Sequence, residues 1–264
     1  MNITSAQNPR VKEWSELTAK KGRDRQGRFL LEGVHLIQEA LVSDIQVKTV
    51  LYDLDKGVSE ELRPLFDGHP EVELIGVSPA VLAKCSETET PQGAVGIADK
   101  PSFGPEALFA DPAGVVVVLD GLQDPGNVGT IIRTADAAGA AGVLIGRGSA
   151  DPYAPKTVRS TMGSLFHLPV VEGALPPLLE EAERRGVLVF STGMASGLTC
   201  YDADLTGAVW FVIGNEGRGV SAEVRSHVQR ELSIPMPGRA ESLNAAMAAG
   251  LLLYEAVRQR RSSS

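Results

Sequence analysis

The sequence predicts an α/β protein in two parts: a small α/β domain, then a mainly parallel sheet with helices on both faces. Three observations carry this expectation. Through the second half, short apolar runs alternate with helical stretches, which is the pattern of a parallel sheet buried on both faces. The clearest run, Val115 to Val118, leads directly into a Gly121-Leu122-Gln123-Asp124-Pro125-Gly126-Asn127 turn and a helix. A Pro- and Gly-rich stretch, Asp99-Lys100-Pro101-Ser102-Phe103-Gly104-Pro105, reads as a linker between the parts. The expected division is residues 1–98, a linker at 99–114, and 115–264.

In the first part a basic, helix-like stretch precedes Phe29-Leu30-Leu31-Glu32-Gly33. Val34–Val42 reads as a helix, Val47–Leu54 as a strand, Ser59–Phe66 as a helix and Val72–Val77 as a strand. Ser78-Pro79 opens a short helix, and Gly93–Ala98 closes the domain as a strand. In the second part strands are expected at Val115–Asp120, Val143–Gly146, Pro169–Val171, Val187–Ser191, Val209–Gly214 and Leu232–Pro235. Ile131, Ile132, Ala135 and Ala138 mark the apolar face of the helix after the first of these. A ligand is expected at the carboxyl ends of the strands.

Composition narrows the function. The chain has 264 residues, 43% of them hydrophobic, and a formal net charge of −8. It can bury a sizeable core, and its charge argues against coating nucleic acid by bulk attraction. Residues 1–30 run against that balance, with Arg10, Lys12, Lys20, Lys21, Arg23, Arg25 and Arg28 facing only Glu13, Glu16 and Asp24. Such asymmetry reads either as an arm for a polyanion or as a solvated helix face. Cys85 and Cys200 are too few for a disulfide framework, and His35, His69, His167 and His227 lack metal-ligand spacing. No metal is expected. The amino terminus has no apolar signal core and no apolar run reaches membrane length, so the expected location is the cytoplasm.

Three constellations carry chemistry. The first is Asn127, read as a helix cap, with Arg133 six residues on. The second is Gly214-Asn215-Glu216-Gly217-Arg218-Gly219, where glycines let a ligand approach the main chain. The third is Ile234-Pro235-Met236-Pro237-Gly238-Arg239-Ala240-Glu241-Ser242-Leu243-Asn244, leading into an alanine-rich helix with Ser242 read as its cap. Neither GxGxxG after the first strand nor GxxxxGK[ST] is present, which disfavours an ordinary dinucleotide or P-loop site.

The order Asn-x-Gly-x-x-x-Arg, Gly-Asn-Glu-x-x-Gly, Ile-Pro-Met-x-Gly-x-x-x-Ser-Leu-Asn resembles the three signature motifs of the SpoU/TrmH family of RNA ribose 2′-O-methyltransferases. The resemblance covers residues 115 to about 260. Ser5-Ala6-Gln7-Asn8-Pro9-Arg10-Val11-Lys12, Gly27-Arg28-Phe29-Leu30-Leu31-Glu32-Gly33 and Thr90-Pro91-Gln92-Gly93 resemble the RNA-binding domain of its longer, 23S ribosomal-RNA-modifying members.

The resemblance implies a SPOUT-type fold with a trefoil knot, an exception to the rule against threading. It also implies S-adenosylmethionine as cofactor and a homodimer packed through the C-terminal helix. The implied catalytic set is Asn127, Arg133, Glu216, Ser242 and Asn244; the implied cofactor contacts are Thr192, Gly214, Ile234, Met236 and Leu243. RNA contacts are expected from Arg10, Lys20, Lys21, Arg23, Arg25, Arg28 and Arg159. Glu216 is expected to orient Arg133 or to act as the base. Ribosomal RNA is the favoured substrate; a tRNA ribose methyltransferase and a non-catalytic RNA-binding protein on the same fold are the alternatives.

Overall fold

A computed structural model describes residues 1–88, 93–193 and 197–262. Thr90, Pro91 and Gln92 lie outside the described residues. The chain divides into two compact units, one of Met1–Ser102 with Tyr153–His167, the other of Phe103–Pro152 with Leu168–Ser264.

The first unit contains β1 (Asn2–Ile3), α1 (Pro9–Ser15), α2 (Lys20–Gln26), β2 (Arg28–Glu32), α3 (Val34–Leu41), β3 (Val47–Asp53), α4 (Arg63–Phe66), β4 (Glu73–Val77), α5 (Pro79–Lys84) and β5 (Ala94–Asp99). Its five strands are ordered β1-β4-β3-β5-β2. β1, β4 and β3 run parallel, and β5 is antiparallel to both its neighbours. Leu30, Leu51, Ile75, Val95 and Ile97 fill one shared core. The helix expected over Ser59–Phe66 forms only as α4, because Pro64 is tolerated only in a first turn.

The second unit contains β6 (Val115–Asp120), α6 (Pro125–Ala137) and β7 (Gly142–Ile145). The chain then leaves for α7 (Pro155–Thr161), which belongs to the first unit, and returns as β8 (Val170–Glu172) and α8 (Leu175–Arg184). β9 (Leu188–Thr192), β10 (Val209–Gly214), α9 (Ala222–Arg225), β11 (Arg230–Leu232) and α10 (Ala245–Ser262) complete it. The excursion through α7 departs from the expectation that all of 115–264 forms one body. Its cause is apolar: within the first unit the Tyr153 and Phe166 rings pack on Phe29 with centroids 5.2 and 6.3 Å away, and Val158 and Leu165 are buried.

The six strands of the second unit are ordered β11-β9-β10-β6-β7-β8, all parallel. Val115 to Val118 show no polar alternation because both faces of β6 are covered. The strand order reverses between β6 and β10, where Asp120 and Gly214 are in register at the carboxyl edge. Such a switch point opens a crevice. Buried residues of α10, Ala249, Leu252 and Leu253 among them, lie on a helix packed against α6. Among the described residues no helix is long and apolar enough to cross a membrane.

Trp210 in β10 is buried and stacks on Phe109 of the Pro105–Phe109 turn, with centroids 5.1 Å apart. Trp210→Ala is expected to destabilise this unit by about 3–5 kcal/mol, read as a lower urea midpoint. An unchanged midpoint would mean that the aromatic pair contributes little to the core.

Candidate active site

The loops after β6, after β10 and before α10 meet at the carboxyl edge of the sheet through one chain of side-chain hydrogen bonds. Glu216 accepts from the backbone N–H of Gln123 (3.3 Å) and Asp124 (3.3 Å) and from Asn127 Nδ2 (3.2 Å). Asn127 Oδ1 in turn accepts from Asn244 Nδ2 (2.9 Å). Asn244 Oδ1 accepts from the N–H groups of Ala246 (2.9 Å) and Met247 (3.3 Å) in the first turn of α10. One residue from each of the three constellations is thereby joined.

Two helix caps differ from the sequence reading. Asp124 caps α6, its carboxylate accepting from the Asn127 N–H at 2.8 Å, with Pro125 opening the helix. Asn127 sits inside the first turn, where its amide is free to bridge. Asn244, not Ser242, caps α10. In both cases the residue directly ahead of the first helical position wins, as Asx capping geometry requires.

Glu216 is ionised by its surroundings. Burial opposes its charge, but its own backbone N–H, the Asn127 amide and the N–H groups of Gln123 and Asp124 outweigh that cost and hold its carboxyl below the usual carboxylate range. Arg133 is exposed on α6 and, among the described residues, has no acceptor. Glu216 makes no ion pair with it there, so the expectation that Glu216 orients Arg133 is not met. Its carboxylate is already engaged by the Asn127 amide and the N–H groups of Gln123 and Asp124.

The residues expected at a cofactor line two adjoining depressions. One, of about 140 Å³, is bounded by Thr192, Leu232, Ile234, Met236, Ser242 and Leu243. The other, of about 400 Å³, shares Thr192, Ser242 and Leu243 and adds Gly214, Asn215, Glu216 and Asn244. The first is walled mostly by apolar side chains and the second adds polar ones, a combination that suits a nucleoside-like ligand. Asn215 and Gly121 lie in the expected segments, where the sequence assigns neither a role of its own. Asn215 Nδ2 donates to Gly121 O (2.8 Å), and Asn215 Oδ1 accepts from the N–H groups of Gly217 and Arg218 (3.0 Å each), which shapes the glycine-rich loop.

In the first unit the expected RNA contacts are mostly committed elsewhere. Arg23 is buried and donates to the carbonyls of Leu17 and Thr18 at 2.8 Å each, so it ties down its own turn and cannot reach a phosphate. Arg10 pairs with Glu73 and lies 4.8 Å from the Trp14 ring centre. Arg25 pairs with Glu16, Arg28 with Asp99 (3.2 Å), and Lys20 with Asp24 (3.8 Å). Arg159 is clamped between the buried carboxylate of Glu32 and that of Glu87. Lys21 is exposed.

Because the pKa of Glu216 is lowered in the folded chain, its ordering bonds are fully present above the ordinary carboxylate range and are lost as pH falls through the lowered value. The side-chain amide resonances of Asn127 and Asn244 are therefore expected to stay fixed between about pH 6 and 8 and to shift only in acid. A midpoint near neutrality would contradict this electrostatic account.

The SpoU rRNA Methylase family model matches residues 114–254, and the MRM3-like substrate binding domain model matches residues 8–96. The chain is 40% identical to the 23S rRNA (guanosine(2553)-2′-O)-methyltransferase RlmP of Bacillus subtilis, over 96% of this chain and 97% of that protein. The SpoU methyltransferase AviRb from Streptomyces viridochromogenes, solved in complex with the cofactor AdoMet, superposes with a TM-score of 0.89 at 37% identity, covering 97% of this chain and 99% of that one. An AdoMet-bound rRNA methyltransferase from Sinorhizobium meliloti gives a TM-score of 0.85 at 33% identity, covering 98% and 97%. A polar chain linking three signature loops, over a cleft lined by the expected cofactor residues, thus occurs in a protein that belongs to the SpoU rRNA methylase family.

Proposed function

We propose that this protein methylates a ribose 2′-oxygen of ribosomal RNA, using S-adenosylmethionine. The observation that carries the reading is the Asn244–Asn127–Glu216 chain beside the paired depressions. Full-length similarity to a 23S rRNA 2′-O-methyltransferase, together with a substrate-binding domain match in the first unit, supports ribosomal RNA over tRNA.

S-adenosylmethionine, when bound, supplies a methyl group already activated on a sulfonium. Thr192, Gly214, Ile234, Met236 and Leu243 would hold it: apolar side chains for the base, hydroxyl and backbone groups for its polar edge. The protein's own work is alignment and charge stabilisation. Arg133 stabilises negative charge developing on the 2′-oxygen. The 2′-hydroxyl proton passes to solvent water as the oxygen takes the methyl group. Asn127, Glu216 and Asn244 hold the loops in register, and Ser242 lines both depressions.

The family's trefoil knot would be formed by the segment following β10. A homodimer through α10 accounts for Met247, Leu251 and Tyr254, which lie on one helix face and are exposed at 60, 41 and 52%. The cytoplasm is its place of work.

Incubation with S-adenosylmethionine labelled in its methyl group and transcribed 23S ribosomal RNA is expected to give a labelled, alkali-resistant dinucleotide, the mark of a blocked 2′-oxygen. Arg133→Ala should abolish transfer, by at least about 100-fold, while calorimetric cofactor affinity stays within a factor of about two. Label on a base, or on tRNA only, would overturn the substrate reading. Lost cofactor affinity with retained turnover would overturn the role of Arg133.

A further inference from the structure

The acidic chain pairs most of its arginines internally; among the described residues Arg63, Arg133, Arg147, Arg218, Arg230, Arg239 and Arg261 are exposed and lack an acceptor. Arg10, Arg25, Arg28, Arg159, Arg184, Arg185, Arg225 and Arg258 face carboxylates, and Arg23 and Arg260 face carbonyls. Arg147 and Arg218 are exposed and have no acceptor among the described residues. Both lie at the carboxyl edge of the second unit's sheet, one in the loop after β7 and one in the loop after β10.

Gly121 brings these two loops together. On one side Asn215 Nδ2 donates to its carbonyl at 2.8 Å, and a Cβ placed on Gly121 would lie 3.9 Å from Asn215 Cβ. On the other side a Cβ placed on Gly148 would lie 3.7 Å from Gly121 Cα. Ser149 Oγ ties the same loop down, donating to Leu119 O at 3.2 Å and accepting from Leu122 N–H at 3.1 Å, and Ala150 N–H reaches Leu122 O at 2.8 Å. Arg147 and Arg218 are therefore carried by loops that pack on the turn leading into α6.

The carboxylates of this edge accept from amide N–H groups. Asp120 accepts from Ser221 N–H (2.7 Å), Asp124 from Asn127 N–H (2.8 Å), and Glu216 from Gln123, Asp124 and Asn127. None of them pairs with Arg147 or Arg218. Two guanidinium groups on anchored loops, left without an internal acceptor in a protein of net charge −8, form a receptor for anions from outside.

We propose that Arg147 and Arg218 bind phosphates of the RNA backbone on either side of the target ribose, setting the strand against Arg133. The inference rests on the reading of this chain as an RNA ribose methyltransferase. It moves the electrostatic grip on RNA from the amino-terminal basic stretch, whose arginines are paired, to the rim of the catalytic sheet.

The test is binding of transcribed 23S ribosomal RNA as a function of KCl, with methyl transfer measured on the same samples. Arg147→Ala and Arg218→Ala are each expected to reduce the slope of log K against log salt by about 1, and the double variant by about 2. KM for RNA should rise, with S-adenosylmethionine affinity unchanged. Arg230→Ala is the control, because Arg230 is exposed at the start of β11, outside the loops after β7 and β10. A double variant with the wild-type slope, or one matched by Arg230→Ala, would overturn the site while leaving the enzyme reading intact. A wild-type protein that neither binds nor methylates the transcript would overturn the ribosomal-RNA reading, and this site with it.

Discussion

An ionised carboxylate has no proton to give, and at Glu216 that constraint fixes the sense of the hydrogen bonds that follow from it. Asn127 must turn its NH₂ toward Glu216, which leaves Oδ1 facing Asn244. Asn244 must then present its own NH₂, which leaves Oδ1 to cap α10. A single acceptor thus orients two amides and starts a helix. The loops concerned are far apart in sequence. Aspartate at 127 could still accept from Asn244 but would set its carboxylate against that of Glu216 and lose the bond between the loops there.

The sheet explains why such a chain is possible. β6 and β10 are parallel and in register, so Asp120 and Gly214 end side by side and the loops leaving them diverge around a crevice. Gly214 has no room for a side chain: a Cβ there would come within 2.3 Å of the Gly219 backbone. The glycine-rich loop folds back tightly at that point, closed by paired backbone hydrogen bonds between Asn215 and Gly219. This return carries Glu216 to the amino end of α6, where backbone N–H groups and the helix field favour its charge.

Much of this was legible in the sequence, and the failures are instructive. The valine run and the spacing of strands gave the parallel sheet, because burial on both faces leaves a direct compositional trace. The three signature segments pointed to the right loops for the same reason: glycine, asparagine and proline at strand ends mark backbone that must bend. Caps were misplaced by up to three residues, since Asp124 and Asn127 are both good caps and only geometry chooses between them. The amino-terminal arginines read either as an RNA arm or as a solvated helix face, because sequence shows charge but not partners. Glu73, Asp99 and Glu32 are distant in the chain and adjacent in space to Arg10, Arg28 and Arg159. The path of α7 into the first unit was hidden for a similar reason, as the aromatic residues that hold it there, Phe29 and Tyr153, lie far apart in sequence.

The account turns on whether the Asn244–Asn127–Glu216 chain builds the cofactor cleft, and calorimetric titration with S-adenosylmethionine tests that most directly. The wild-type protein should bind saturably, near one cofactor per chain. Asn127→Leu, which breaks the chain between loops without touching either depression's lining, should weaken binding by at least about tenfold, the effect of losing roughly 1.4 kcal/mol. Equal affinity in both proteins, or no binding by the wild type, would contradict the claim that these hydrogen bonds assemble the site.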